Sequence, residues 1–170
     1  MTFRILTTED AAAFQALRLR GLLEAPTAFA SSYEEEAYTP LSDIERRLLP
    51  KASGAIFGAF VAGALAGVAG VERKSMAKLS HKAYLWGMYV APEHRQSGLA
   101  RRLLEHVLPY AWNSLGVVQV NLGVHTENVS AIALYRRLGF VVWGTEADAL
   151  VVDGKAQDEH HMVCRSPRQV

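Results

Sequence analysis

A chain of 170 residues suits one domain built around one hydrophobic core. Half of its residues are hydrophobic and 21% are charged, an ordinary globular mixture without disordered or collagen-like bias. The formal net charge of +1 gives no global electrostatic reason to expect nucleic acid or a membrane surface as a partner, although a local basic spot could still hold phosphate.

The N-terminal run Phe3-Arg4-Ile5-Leu6 is β-rich and leads into Thr7-x-x-Asp10, a capping-box-like start for a helix over residues 11–23. It lacks the apolar h-region of a secretory signal. Residues 26–40 mix Pro, Ala, Ser, Tyr and acids, and suit a further helix with loops. Ser42 and Asp43 can cap a short helix ending at Leu49, stopped by Pro50. The longest apolar stretch, residues 55–71, is broken by Gly58, Gly63, Gly67 and Gly70. It reads as two antiparallel strands, 54–62 and 64–73, turning at Gly63, and not as a membrane helix. The single cysteine, Cys164, excludes an intrachain disulfide and fits a reducing compartment. The expectation is a soluble, cytoplasmic protein.

Residues 83–90 are almost wholly apolar or aromatic, as in a central strand buried on both faces. Gly87 within them predicts a bulge or a close backbone approach. After Pro92, a helix beginning at Gly98 shows a wide apolar stripe of Leu99, Ala100, Leu103, Leu104, Val107, Leu108 and Ala111. Pro109 is expected to kink it or end its regular hydrogen bonding. A strand over 117–124, a helix over 128–138 stopped by Gly139, and strands over 140–143 and 159–164 complete the chain, with residues 165–170 as a loose tail. The order β-α-α-β-β-β-α-β-α-β-β is mixed α/β, one domain over residues 1–170 with a structured core over 3–164.

The sharpest local signal is Val90-Ala91-Pro92-Glu93-His94-Arg95-Gln96-Ser97-Gly98-Leu99-Ala100. A buried strand ends, a short loop follows and a helix begins. Free N–H groups and the positive end of the helix dipole then face outward, a ready cradle for a diphosphate without a metal. Gly98 lets a ligand approach the backbone, Ala100 keeps the next turn small and Arg95 adds a full charge. The pattern is neither a nucleotide P-loop nor G-x-G-x-x-G.

This R-x-x-G-x-A segment resembles the pyrophosphate-binding motif Q/R-x-x-G-x-G/A of the GNAT superfamily of N-acetyltransferases, met here by Arg95, Gly98 and Ala100. A second block, from Asn128 through Ala131, Leu134 and Tyr135 to Gly139 and Phe140, resembles the family's N-x-x-A-x-x-L-Y-x-x-x-G-F segment. The resemblance covers nearly the whole chain. It implies a mixed, mostly antiparallel central sheet flanked by helices, with a splayed pair of central strands. It also implies direct transfer of acetyl from acetyl-CoA to a primary amine of a small molecule or peptide.

The resemblance assigns the cofactor to Arg95, Gln96, Ser97, Gly98, Leu99 and Ala100, to backbone groups around Met88, Tyr89 and Val90, and to Asn128. Asn128 also reads as a helix N-cap. Tyr135 is implied as the proton donor to the leaving thiolate; its phenol is protonated at neutral pH. A core tyrosine is the alternative reading. Glu72, Glu34 and Glu35 are the candidates for the general base, with His81 and a water chain beside them. His160 and His161 are adjacent and would point to opposite faces of a strand, and no metal-ligand spacing exists, so no metal is expected. Cys164 reads as a small half-buried residue. A non-catalytic acyl-CoA-binding sensor or interaction module is the alternative function, and exposed faces leave room for a homodimer.

Overall fold

The computed structural model describes residues 1–167. Seven strands form one sheet in the order β1-β2-β3-β4-β5-β7-β6. These are β1 (Thr2–Ile5), β2 (Gly54–Val61), β3 (Ala64–Arg73), β4 (Lys82–Val90), β5 (Gln119–His125), β6 (Val141–Val152) and β7 (Lys155–Arg165). Every pairing is antiparallel except β4 with β5. The helices are α1 (Ala11–Glu24), α2 (Tyr33–Glu36), α3 (Leu41–Leu48), α4 (Leu99–Asn113) and α5 (Val129–Arg137).

Two apolar clusters cover the two sheet faces. One joins Leu103, Leu104, Val107 and Ala111 of α4 and Ile132 and Tyr135 of α5 to Val71, Leu85, Val120, Leu122 and Met162. The other joins Phe14, Leu17 and Leu22 of α1 and Ile44 and Leu48 of α3 to Ile56, Val68 and Tyr89. Side chains alternate along a strand, so each strand feeds both layers. On β4, Ala83, Leu85 and Val90 face α4, whereas Trp86 and Tyr89 face α1 and α3.

β4 and β5 are paired only at their N-terminal ends, through Lys82–Gln119, Ala83–Val120 and Tyr84–Asn121. Beyond those positions the two strands diverge. β5 is held on its other side by β7 along its whole length, and β4 by β3. In β4, Trp86 pairs with Gly70 and Tyr89 with Val68, so Gly87 and Met88 together oppose Ala69. This is a β-bulge, with Gly87 at φ +61°. The expected splay and bulge are both present.

α4 continues through Pro109 to Asn113, and three other sequence expectations change. Pro109 is exposed on the solvent side of a helix whose opposite face is buried to Ala111, so packing carries the helix past the lost hydrogen bond. α3 begins after Pro40, which places Ser42 and Asp43 inside the helix instead of at its cap. β6 and β7 form one long hairpin over 141–165, where the sequence marked only 140–143 and 159–164. The tail also starts later: Arg165 ends β7, and Ser166 is buried with its N–H donating to the Val118 carbonyl at 2.9 Å. Residues 168–170 of the expected tail lie outside the described residues. No helix among the described residues is long and apolar enough to cross a membrane.

Candidate functional site

The loop between β4 and α4 stands at the open end of the fork. Gly98 is the N-cap of α4 at φ +79°, a left-handed conformation that glycine adopts without steric cost. A Cβ at Gly98 would meet no atom within 4 Å. The first α4 hydrogen bond runs from the Arg102 N–H to the Gly98 carbonyl at 3.0 Å. The N–H groups of Leu99, Ala100 and Arg101 therefore have no acceptor within the helix, at the positive end of its dipole. Gln96 also has positive φ, at +60°, and the Ser97 hydroxyl donates to the His94 carbonyl at 2.6 Å. Gln96, Ser97 and Gly98 are exposed, while Leu99 is buried as the anchor of the helix.

Arg95 does not extend freely from this loop. Its Nε donates to the Val90 carbonyl at 2.9 Å, its guanidinium lies 5.6 Å from the Tyr89 ring centre, and Nη2 lies 3.9 Å from Glu24. Arg20 of α1 bridges Glu24 at 2.8 Å and grips both oxygens of Glu93 at 2.8 and 2.9 Å. The Tyr89 hydroxyl donates to Glu24. Burial and that carboxylate push Tyr89 up to about 12. This network ties the loop to the end of α1 and was not legible in the sequence, because bonded partners such as Arg20 and Glu93 lie 73 positions apart.

Tyr89 is thus a framework side chain, with its ring facing α1; only its backbone belongs to the inner edge of the fork. Met88 packs against the α4 layer and Val90 is buried within it. Asn128 caps α5, its Oδ1 accepting from the Ala131 N–H at 3.2 Å and from the Ser130 hydroxyl at 3.1 Å. Tyr135 is buried on α5, tilted against Phe140 with ring centres 5.6 Å apart. Burial, reinforced by nearby Tyr84, moves its hydroxyl well above the ordinary phenol range.

The four sequence candidates for the base are scattered. Glu72 is exposed at the end of β3, near Ser53 at 3.3 Å, and lines a cavity of about 500 Å³ with Trp86, Ile56 and Leu48. Glu34 is exposed on α2. Glu35 accepts from the Ser32 N–H at 2.7 Å as part of the α2 capping box. His81 is exposed in the loop before β4. Their neighbour Glu36 is buried, gripped by Arg18 at 2.6 Å and reached by Arg47 at 3.3 Å.

A different group of polar side chains gathers where β4 and β5 separate. Tyr84 is in the last pair of the fork, opposite Asn121. Gly123, two residues further on β5, is flanked by the Tyr84 hydroxyl and by Glu159 of β7. His161 of β7 meets Glu146 of β6 at 2.8 Å and stacks on Trp143 at 5.4 Å. None of these was assigned to the site from the sequence, because the register that sets β7 against β5 and β6 has no local signal. Among the described residues no group of three or more His, Cys, Asp or Glu is placed to hold a metal ion.

A model of the Acetyltransferase (GNAT) family matches residues 19–140. A spermidine N(1)-acetyltransferase of Vibrio cholerae serotype O1 is 33% identical over 82 residues, 48% of this chain and 47% of that protein. The chain spans about half the length of the curated relatives it matches. An acetyltransferase of GNAT family from Streptococcus pneumoniae has the same fold at a TM-score of 0.86 and 23% identity, covering 97% of this chain and 99% of that one. A GNAT superfamily phosphinothricin acetyltransferase from Sinorhizobium meliloti, solved in complex with AcCoA, reaches 0.84 at 20% identity over 96% of this chain and 87% of that one.

Proposed function

Since the chain belongs to the GNAT acetyltransferase family, we propose that it transfers the acetyl group of acetyl-CoA to a primary amine of a small molecule or peptide. The observation that carries this reading is the fork: β4 and β5 share only three parallel pairs, and the open N-terminus of α4 stands beside the end of β4. A fold gains nothing in stability from leaving strand edges unpaired inside a sheet. Their use as a docking edge for an extended amide-bearing arm explains them.

The residues present fit the cofactor. The N–H groups of Leu99, Ala100 and Arg101 and the open space at Gly98 suit a pyrophosphate. The backbone of Met88, Tyr89 and Val90 offers hydrogen-bonding groups on the β4 side of the fork, although Arg95 already occupies the Val90 carbonyl. Arg95 therefore acts by holding the loop and by adding positive potential near it. Asn128 fixes the start of α5, the helix that presents Tyr135. Bound acetyl-CoA supplies the activated acyl group.

Tyr135 is the proton donor to the departing sulfur. Burial keeps its phenol protonated throughout the neutral and mildly alkaline range, so the proton is available when a thiolate is released. Cys164 is buried and its thiol is raised, which suits a structural residue. We place the activity in the cytoplasm, in keeping with that single unpaired cysteine.

Calorimetric titration with acetyl-CoA, against ATP and NAD as controls, tests the binding half of the proposal. Selective binding is expected. A panel of spermidine, phosphinothricin and a peptide with a free N-terminus, read by release of free CoA thiol, tests the transfer half. A folded protein that binds acetyl-CoA but acetylates no amine would favour the sensor reading instead.

A further inference from the structure

The fork contains a carboxylate that none of the preceding roles uses. Gly123 lies on β5 two residues past Asn121 of the last β4 pair, on the same sheet face. A Cβ built there would lie 2.8 Å from Glu159 Oε2 and 3.0 Å from the Tyr84 hydroxyl. A carboxylate from β7 and a phenol from β4 thus converge on one glycine at the throat of the fork. Tyr135 lies on α5 in the layer behind the sheet, and Tyr84 adds to the upward shift of its hydroxyl.

Glu159 reaches this position through strand register. It pairs with His125 across β5 and with Glu146 across β6, so its side chain lies on the sheet face shared by Gly123. Its surroundings are unusual for a carboxylate. No described residue forms an ion pair or a side-chain hydrogen bond with it. His161, the nearest base on β7, is engaged by Glu146. Buried His125 faces it from β5, and Tyr84 from β4. Burial pushes the Glu159 carboxyl up; Glu146 adds to this, while His161 and His125 pull it back.

The other carboxylates near the helical layer are already used. Glu36 is held by Arg18, Ser31 and Arg47, Glu24 by Arg20 and Tyr89, and Glu35 by the α2 cap. Glu72 and Glu34 are exposed.

We propose that Glu159 is the general base of the transfer, taking the proton from the acceptor ammonium at the throat of the β4–β5 fork. This rests on the N-acetyltransferase reading above. Glu159 receives one proton from the ammonium, leaving a neutral amine. The amine nitrogen bonds to the acetyl carbon and the carbon–sulfur bond breaks. Tyr135 gives its proton to the sulfur and regains one from the new amide nitrogen. The proton on Glu159 leaves to water past the exposed Glu146–His161 pair, which restores the site with one proton released per acetyl transferred. A raised carboxyl accepts a proton more readily than an ordinary carboxylate does.

The test uses E159Q and E159D in the full chain with an amine that the wild type acetylates. For E159Q, kcat at saturating amine is expected to fall roughly a hundredfold near pH 7, with loss of the acidic limb of the kcat–pH profile. Acetyl-CoA affinity by calorimetry should stay within about threefold, and the melting temperature should not fall, because neutral glutamine removes a desolvated charge. E159D should keep the acidic limb at a reduced rate. E159Q with wild-type kcat and an unmoved limb would overturn the proposal while leaving the acetyltransferase reading intact. If E159Q does not fold, E159D decides: a slower enzyme with its limb retained supports the role, and an unchanged rate removes it. A wild type that binds acetyl-CoA yet acetylates no amine removes the reading on which the role rests.

Discussion

Glu36 is buried and Glu159 half-buried, yet their surroundings treat them oppositely. Burial alone would raise Glu36, but the hydrogen bonds from Arg18 and Ser31 and the charge of Arg47 override it and bring the carboxyl down to about 2. Glu159 has burial without a cation of its own, and its carboxyl goes up. The first arrangement fixes α2 against α1 and α3, elements that wall one face of the sheet. The second stores no stability at neutral pH. A carboxylate with every lone pair matched is framework; one left desolvated beside an opening is poised to change its protonation.

The largest expected effect lies on the framework side. Glu36→Ala leaves the largely buried Arg18 guanidinium with Ser31 but without its carboxylate, and removing one member of such a pair costs about 3–5 kcal/mol. Chemical denaturation at pH 7 measures it. The sign of the pH dependence follows from the lowered pKa: the Glu36 contribution is complete above the ordinary carboxylate range and is lost as pH falls through about 2. The gap between wild type and variant should therefore shrink in acid. A gap that persisted at pH 2 would mean that packing, and not charge, accounts for the loss. Glu159→Gln should show the reverse, with no destabilisation at pH 7, because a raised carboxyl contributes stability only below its ordinary pKa and loses it as pH rises.

Next comes Tyr135→Phe. The ring keeps its place against Phe140, so the variant removes the hydroxyl with little change in packing. Turnover should fall by roughly a hundredfold if the phenol supplies the proton to sulfur. Acetyl-CoA affinity should change little. Unchanged turnover would return Tyr135 to the core and leave the fork without its acid.

Gly123→Ala sharpens the comparison further, because it disturbs Glu159 without altering it. The new methyl would lie 2.8 Å from the Glu159 carboxylate and 3.0 Å from the Tyr84 hydroxyl, and the flexible glutamate end is the part able to yield. Displacing a base by about an ångström is expected to lower kcat roughly tenfold and to move the acidic limb. Stability should hardly change. A Gly123→Ala enzyme with normal kcat would show that the position of Glu159 is not critical.

How much of this was legible in the sequence depends on the kind of signal. The α4 stripe, the Gly98 start, the Gly87 bulge and the Asn128 cap are local, and each residue's neighbours in the chain settle it. The long β6–β7 hairpin was not read, because Gly144, Thr145, Glu146 and Asp148 interrupt the apolar residues of β6 and β7 opens on a polar run. Its one clear mark was Asp153-Gly154, both at positive φ in the turn between the strands, the pairing that two-residue hairpins favour. Glu159 opened the strand expected over 159–164, but its place at the fork follows only from the register of β7 on β5. Glu36 was hidden for a related reason: in an acidic run, nothing local tells which carboxylate Arg18 and Arg47 will claim.

The smallest expected effect separates framework from site within the phosphate loop itself. Glu93 is exposed, and Arg20 holds its carboxyl at about 2 through paired hydrogen bonds. An exposed pair of this kind contributes little to global stability, so Glu93→Gln should leave the melting temperature within about a degree. Arg20 retains Glu24 at 2.8 Å, and Glu24 still lies against Tyr89 and Arg95, so the loop keeps its main attachment to α1. Acetyl-CoA affinity should then stay within about twofold, or rise slightly as a negative charge leaves the neighbourhood of the bound pyrophosphate. A fall of tenfold in affinity with no change in melting temperature would show that Glu93 positions the loop through Arg20. The framework would then extend from α1 to the ligand's edge, and the division drawn between Glu36 and Glu159 would not hold at this end of the fork.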